Sequence, residues 1–222
     1  MCTIGAKKLN EKYIIFKNRD RIDNVHTKII FEDTGIKKLL IVDEKSHCEG
    51  LNRYGLCFIE TTLSPHCTRK YNTVSRLGRR ILNQKNIVDA IDIIKHNKIS
   101  SNIIISDGKV AFTVERTPSE IAITRLRDYG VITNHSIKLN KLNGPKSNAG
   151  RKSSVMRFNR AKKLVKEINN YDDIKKVLSD TSGRYSIYNE FTICSYILDP
   201  IKKQICFFDS RPNSKGQIYY LH

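Results

Sequence analysis

Short runs rich in Ile, Val, Phe, Tyr and Thr, bounded by Gly, Asn or Asp, recur from one end of the chain to the other, and they give it a framework of antiparallel β strands. The runs expected as strands are 2–6 (CTIGA), 13–18 (YIIFKN), 38–43 (KLLIVD), 55–63 (GLCFIETTL), 102–106, 110–115, 120–126, 130–133, 191–198, 204–209 and 217–221. Asp107-Gly108 between two of them is a hairpin signal. Two blocks interrupt the pattern with helical spacing. The first covers 75–84 and 87–96, where Ile87, Ala90, Ile91 and Ile94 share one face. The second covers 155–169, with Ser153 and Ser154 as candidate N-caps and Val155, Phe158, Ala161, Leu164, Val165 and Ile168 as its apolar face, followed by 172–179. A Gly50–Gly55 segment reads as a tight turn feeding the next strand. Two sheets packed face to face, with helices outside each, bury all the apolar faces of these strands and helix pairs. The fold class expected is therefore α+β, a four-layer αββα sandwich of two mainly antiparallel sheets.

At 222 residues the chain is long enough for one such domain, spanning 1–222. No apolar run reaches the roughly 18 residues of a membrane helix, and MCTIGAKKLNEK has no signal-peptide core, so the expectation is a cytoplasmic protein with no membrane partner. Forty Lys+Arg against 22 Asp+Glu give a formal net charge of +18. That balance fits a solvated basic surface, an anionic small substrate or nucleic acid. Nucleic acid is the weaker reading, because the cations are dispersed and no helix-turn-helix, zinc-finger, RRM or KH signature is present. One basic stretch, 136–152, concentrates Lys138, Lys141, Lys146, Arg151 and Lys152.

Six cysteines occupy positions 2, 48, 57, 67, 194 and 206, and none forms a C-x-x-C pair. Cys57, Cys194 and Cys206 sit in apolar runs and read as core thiols. The dipeptides His47-Cys48 and His66-Cys67 do not have the usual zinc spacing, so neither a metal nor a cofactor is expected.

Cys2 differs from the other five. Removal of Met1, which the small second residue permits, leaves a thiol and a free α-amine on one residue. The amine's reference pKa is about 7.7–8.0 and the thiol's about 8.5, so near neutral pH the amine can take the thiol proton. The residue then carries its own nucleophile and base.

Five stretches occur in an order that resembles the cysteine-type N-terminal-nucleophile hydrolases, the group of choloylglycine hydrolases, penicillin V acylases and isopenicillin-N acyltransferases. Met-Cys-Thr opens the chain; F-K-N-R-D at 16–20 is similar to the family's G-R-N-x-D, and G-L-N-R-Y-G-L at 50–56 to its G-x-N-E-x-G-L. I-T-N-H at 132–135 is similar to T-N-H or T-N-S, and S-S-V-M-R-F at 153–158 to a helix-opening Ser-x-x-Arg-Phe. The resemblance implies the αββα sandwich and four catalytic roles. Cys2 is the nucleophile, Asp20 orients its α-amine, Asn134 donates to the oxyanion, and Arg157 completes the polar network around the thiol. Lys17 stands where the family has Arg, and Thr62 where bile-salt and penicillin V enzymes carry a second oxyanion Asn, so the resemblance makes both candidates for substrate or oxyanion contact, Thr62 through its hydroxyl or a backbone N–H. Both departures argue against bile salts as substrate.

The function expected is an amidohydrolase that cleaves a non-peptide or small-peptide carbon–nitrogen bond through an acyl thioester on Cys2. Its partner is a small amide substrate, favoured to be anionic, and a homo-oligomer stays open. The alternatives are an acyltransferase with the same nucleophile and a catalytically silent basic binding protein.

Overall fold

The computed structural model describes residues 2–23, 25–44, 47–63, 71–139, 144–213 and 215–222, the side chains of 71–74 excepted. His66-Cys67 and Lys141 lie outside the described residues. The elements in chain order are β1 (Thr3–Leu9), β2 (Lys12–Asp20), β3 (Thr27–Glu32), β4 (Lys38–Asp43), β5 (Cys48–Asn52), β6 (Cys57–Thr62), α1 (Tyr71–Leu82), α2 (Ile87–Lys95), β7 (Ser101–Ser106), β8 (Ala111–Arg116), β9 (Ile121–Arg125), β10 (Tyr129–Ile132), α3 (Asn148–Lys166), α4 (Tyr171–Leu178), β11 (Thr192–Asp199), β12 (Gln204–Phe208) and β13 (Gln217–Tyr220). The strands form a six-stranded sheet ordered β10-β1-β2-β11-β12-β13 and a seven-stranded sheet ordered β3-β4-β5-β6-β7-β8-β9.

Three apolar clusters separate four layers. Ile4, Ala6 and Ile15 of one sheet meet Leu39, Ile41, Ile59 and Ile104 of the other between the sheets. Leu77, Ile81, Ala90 and Ile94 of α1 and α2 cover the outer face of the seven-stranded sheet. Ala161, Val165, Ile174 and Leu178 of α3 and α4 cover the outer face of the six-stranded sheet. This is the αββα sandwich. Among the described residues no helix is long and apolar enough to cross a membrane.

The α2 face is the one its spacing indicates, Ile87, Ala90, Ile91 and Ile94, with Asn86 as N-cap accepting from the Asp89 N–H. Three features differ from the sequence expectation. Strand β3 has no clean alternation because it is a sheet edge, with Phe31 55% exposed. Strand β5 occupies residues read as turn: Gly50 lies inside it at φ 147°, and a Cβ there would come within 2.0 Å of the Leu39 carbonyl oxygen. The turn itself is Asn52 to Gly55, where the Asn52 side chain accepts from the Tyr54 and Leu56 N–H groups. Finally, α3 begins at Asn148, capped by Ser147, and its inward face is Ser154, Arg157, Ala161 and Val165. Val155, expected inside, is 37% exposed. The helix turns polar residues inward at its N-terminal half because they meet the polar ends of β1, β2 and β10 there.

Candidate active site

The β1–β2 hairpin does the first positioning. Its two-residue turn, Asn10-Glu11, has both φ values positive (46° and 63°), as a type I′ turn requires. The resulting register pairs Thr3 with Asn18 and Ile4 with Lys17. Carried one residue further, it sets Cys2 beside the end of β2, where its Sγ lies 4.0 Å from the Asp20 carbonyl oxygen. Alternation then sorts the side chains. Thr3, Asn18 and Asp20 face the helices, while Lys17 and Arg19 face the opposing sheet.

Strand β10 pairs on the other side of β1, Ile4 opposite Ile132, which brings Asn134 to Cys2. The Cys2 backbone nitrogen donates to Asn134 Oδ1 at 3.0 Å; with Met1 removed, that nitrogen is the α-amine. Arg157 closes the group from α3. Its Nη1 donates to the Cys2 carbonyl at 3.0 Å and to Thr3 Oγ1 at 2.8 Å, and its Nη2 donates to Asn134 Oδ1 at 3.1 Å. The same guanidinium stands 4.0 Å from the Asp20 carboxylate, which also accepts from the Thr192 hydroxyl (2.8 Å) and the Asn189 amide (3.2 Å). Cys2, Asn134 and Arg157, 155 positions apart at the extremes, thus form one hydrogen-bonded cluster, with the Asp20 carboxylate beside it as an ion partner of Arg157.

The Asn134 side chain is oriented without ambiguity, since its oxygen receives two donors and its nitrogen faces two acceptors. Nδ2 donates to Thr61 Oγ1 at 2.6 Å and to the Thr62 carbonyl at 2.9 Å. Both amide protons therefore have acceptors, and donation to an oxyanion requires one of them to be released. Thr62 itself exposes its side chain and offers the cluster only its carbonyl. The hydroxyl that reaches inward belongs to Thr61, which sequence reading passed over because strand phase decides which of two adjacent threonines faces in.

Lys17 is 1% exposed. Its ammonium donates to Glu49 Oε1 (2.5 Å) and to the Glu60 carbonyl (2.6 Å). Glu49 also accepts from the Tyr196 hydroxyl (2.5 Å) and the Glu60 N–H (2.9 Å), and His47 Nε2 lies 3.4 Å away. Burial pushes the Glu49 carboxyl up, and His47 and Lys17 overcome it and hold it below the usual carboxylate range. His47, Glu49 and Glu60 group their ligand atoms within 4.8 Å, and the Lys17 ammonium already supplies a cation to Glu49. His47 faces Tyr196 between the sheets, whereas Cys48 packs beneath Gly78 of α1, so the His47-Cys48 dipeptide points to two different layers. Arg19 is paired with the buried Asp43.

Among the described residues, these charges single out one thiol. Burial works against a Cys2 thiolate and Asp20 opposes it, but Lys17, the N-terminal charge and Arg19 outweigh both, and the Cys2 pKa falls. Burial pushes Cys48 and Cys194 up to about 12 and raises Cys57 and Cys206 as well. Limiting iodoacetamide, titrated from pH 6 to 10 with peptide mass mapping, is therefore expected to label Cys2 at lower pH than the buried cysteines, with a midpoint shifted down from that of an ordinary thiol. Cys48, Cys57 and Cys194 should stay unlabelled in the folded protein. Labelling of Cys48 or Cys194 ahead of Cys2 would show that the cations do not act on the thiol as described.

The model of the acyl-coenzyme A:6-aminopenicillanic acid acyl-transferase family matches residues 9–212. The chain belongs to this family. The matched span starts after Cys2 and includes Lys17, Asp20, Asn134 and Arg157. Among solved structures, a penicillin V acylase from Agrobacterium tumefaciens shares the fold with a TM-score of 0.65 at 14% identity, over 98% of this chain and 84% of that one. No curated protein matches the chain. Family and fold together make it an enzyme of the N-terminal-nucleophile hydrolase and acyltransferase type.

Proposed function

We propose that the protein is an amidohydrolase whose nucleophile is Cys2, acting on a small non-peptide or small-peptide amide. The observation that carries this reading is the hydrogen bond from the Cys2 backbone nitrogen to Asn134 Oδ1, within a cluster that Arg157 ties together. Once Met1 is removed, the α-amine takes the thiol proton, and Sγ attacks the amide carbon to give a tetrahedral oxyanion. The amine leaves with that proton, and water resolves the acyl thioester. Asp20 and Asn134 hold the α-amine in place. The oxyanion takes a donor from Asn134 Nδ2 or from the Thr61 hydroxyl, a neutral pair that adds no competing base. Lys17 and Thr62 contribute differently from the sequence expectation: Lys17 as a buried charge acting on the thiol, Thr62 through its carbonyl.

The family's description names an acyl-transferase, which favours a second outcome for the same thioester, resolution by an amine in place of water. The substrate is favoured to be anionic, because Lys138, Lys146, Arg151 and Lys152 lie exposed between Asn134 and Arg157 in the chain. A panel of anionic and neutral N-acyl compounds, each run with and without added amines, tests all three points. Anionic amides should show the higher kcat/KM and leave a transient acyl adduct on Cys2 by mass spectrometry. Added amine diverts the adduct only in an acyltransferase. Neutral amides winning by a wide margin would remove the charge argument, and no adduct with any amide would sink the hydrolase reading.

A further inference from the structure

Three connections meet at the end of the sandwich away from Cys2. The β1–β2 hairpin contributes Lys8 and Tyr13, the β7–β8 turn Lys109 and Val110, and the end of β9 Arg125, Leu126 and Arg127; together they line an open cavity of about 520 Å³. Six residue steps along β1 separate Lys8 from Cys2, which at a strand's rise is roughly 20 Å. The walls are tied to one another. Tyr13 N–H donates to the Gly108 carbonyl (2.8 Å), Leu126 N–H to the Ala111 carbonyl (2.8 Å) and Lys8 N–H to the Asp128 carbonyl (2.7 Å). The Tyr13 hydroxyl, on a ring only 2% exposed, donates to the Leu126 carbonyl at 2.8 Å.

The charges around this cavity are unequal. Lys8 is paired with Glu11 and Lys7 with Asp128, which accounts for the nearby carboxylates. Asp107 Oδ1 accepts from the Lys109 and Val110 N–H groups. Among the described residues, Lys109, Arg125 and Arg127 are exposed and none has a carboxylate partner. Three like charges at one rim repel each other, and an anion between them removes that cost. Two guanidinium forks match the oxygens of phosphate groups, each able to donate in pairs.

We propose that this cavity binds a compact polyphosphate anion, either inorganic pyrophosphate or the phosphate chain of a small organic di- or triphosphate. Its volume lies in the range of small-molecule sites. Its apolar lining is Tyr13, Val110 and Leu126, and the Tyr13 ring is too buried for a base to stack on, so recognition rests on the phosphates. The cations ring a concavity and do not line a flat strip, the shape a duplex backbone needs. The hydrogen bonds among the three connections hold the donors in place before the ligand arrives. The site is independent of the chemistry assigned to Cys2.

Calorimetric titration of the full chain with pyrophosphate, ADP and ATP at physiological salt tests the proposal. Saturable binding of one equivalent is expected, weakened ~10-fold or more by Arg125→Ala with Arg127→Ala and several-fold by Lys109→Ala alone, a turn position with little bearing on folding. The double variant Lys162→Ala, Lys163→Ala removes two exposed charges of α3 and should bind as the unmodified protein does. Equal affinity for pyrophosphate and ADP indicates that the phosphates alone are read; tighter ADP points to the organic phosphate as the natural source. Absence of saturable binding, equal weakening by the α3 control, or displacement of pyrophosphate by a DNA duplex of higher affinity would each overturn the assignment.

Discussion

Cys2→Ala is expected to eliminate turnover, lowering kcat by roughly 10⁴-fold or more, while leaving the fold in place. The two halves of this expectation rest on different observations. The thiol is the group whose pKa the surrounding cations lower, so the chemistry has no substitute among the buried cysteines. Its structural contribution is small, because Sγ has only a 4.0 Å contact with the Asp20 carbonyl, and the hydrogen bonds of residue 2 are made by backbone atoms that alanine keeps. Alanine is also small enough for Met1 to be removed, so the terminus is unchanged. The check is kcat on the best amide of the panel together with a thermal melt. Measurable turnover at more than a hundredth of the original rate would place the nucleophile elsewhere.

Arg157→Met is expected to cost about 3–5 kcal/mol of stability as well as activity, the usual consequence of removing one side of a buried charged network. Arg157 is 2% exposed and its guanidinium satisfies the Cys2 carbonyl, the Thr3 hydroxyl and Asn134 Oδ1 while standing 4.0 Å from Asp20. Methionine fills much of the volume and leaves these acceptors without that donor. For a chain of this length the loss corresponds to a melting temperature lower by about 6–20 °C. Burial already raises the Asp20 pKa, and Arg157 is the strongest influence holding it down, so Asp20 in the variant should take up a proton at a higher pH. A carboxyl whose folded pKa lies above its unfolded value contributes stability at low pH that is lost as pH rises through the folded pKa. The Arg157→Met defect should therefore be smaller at pH 5 than at pH 8. Melts at both values decide the matter, and a shift under 2 °C at pH 8 would show that the cluster does not depend on Arg157. Arg157→Lys keeps a charge near Asp20 but loses the planar fork, and is expected to recover stability more than activity.

Much of the architecture was legible in the chain. Alternating apolar runs and two helix pairs are compatible with few layer arrangements, and the face of α2 follows from side-chain spacing alone. The short motifs around Cys2, Asp20, Asn134 and Arg157 were also recognisable, since each keeps its residue types together locally. What lay beyond reading was anything set by pairing between distant segments. The inward turn of α3 depends on polar strand ends that only the fold brings beneath it, so its apolar periodicity pointed to Val155 where Ser154 and Arg157 face in. Lys17 reads as a site cation in sequence, and its partner Glu49 lies 32 residues on, directly before a segment that reads as a turn.

The sequence by itself determined the layers, the nucleophile candidate with its own amine, and the excess of positive charge. Only the tertiary structure decided which threonine meets Asn134, which cation acts on the thiol, and where three cations with no carboxylate partner among the described residues gather around a cavity. The reason is that local patterns fix the face a side chain takes within its own element, whereas a site is made where register and sheet packing bring several elements together. Those depend on the burial of the whole chain, and no short stretch of it encodes them.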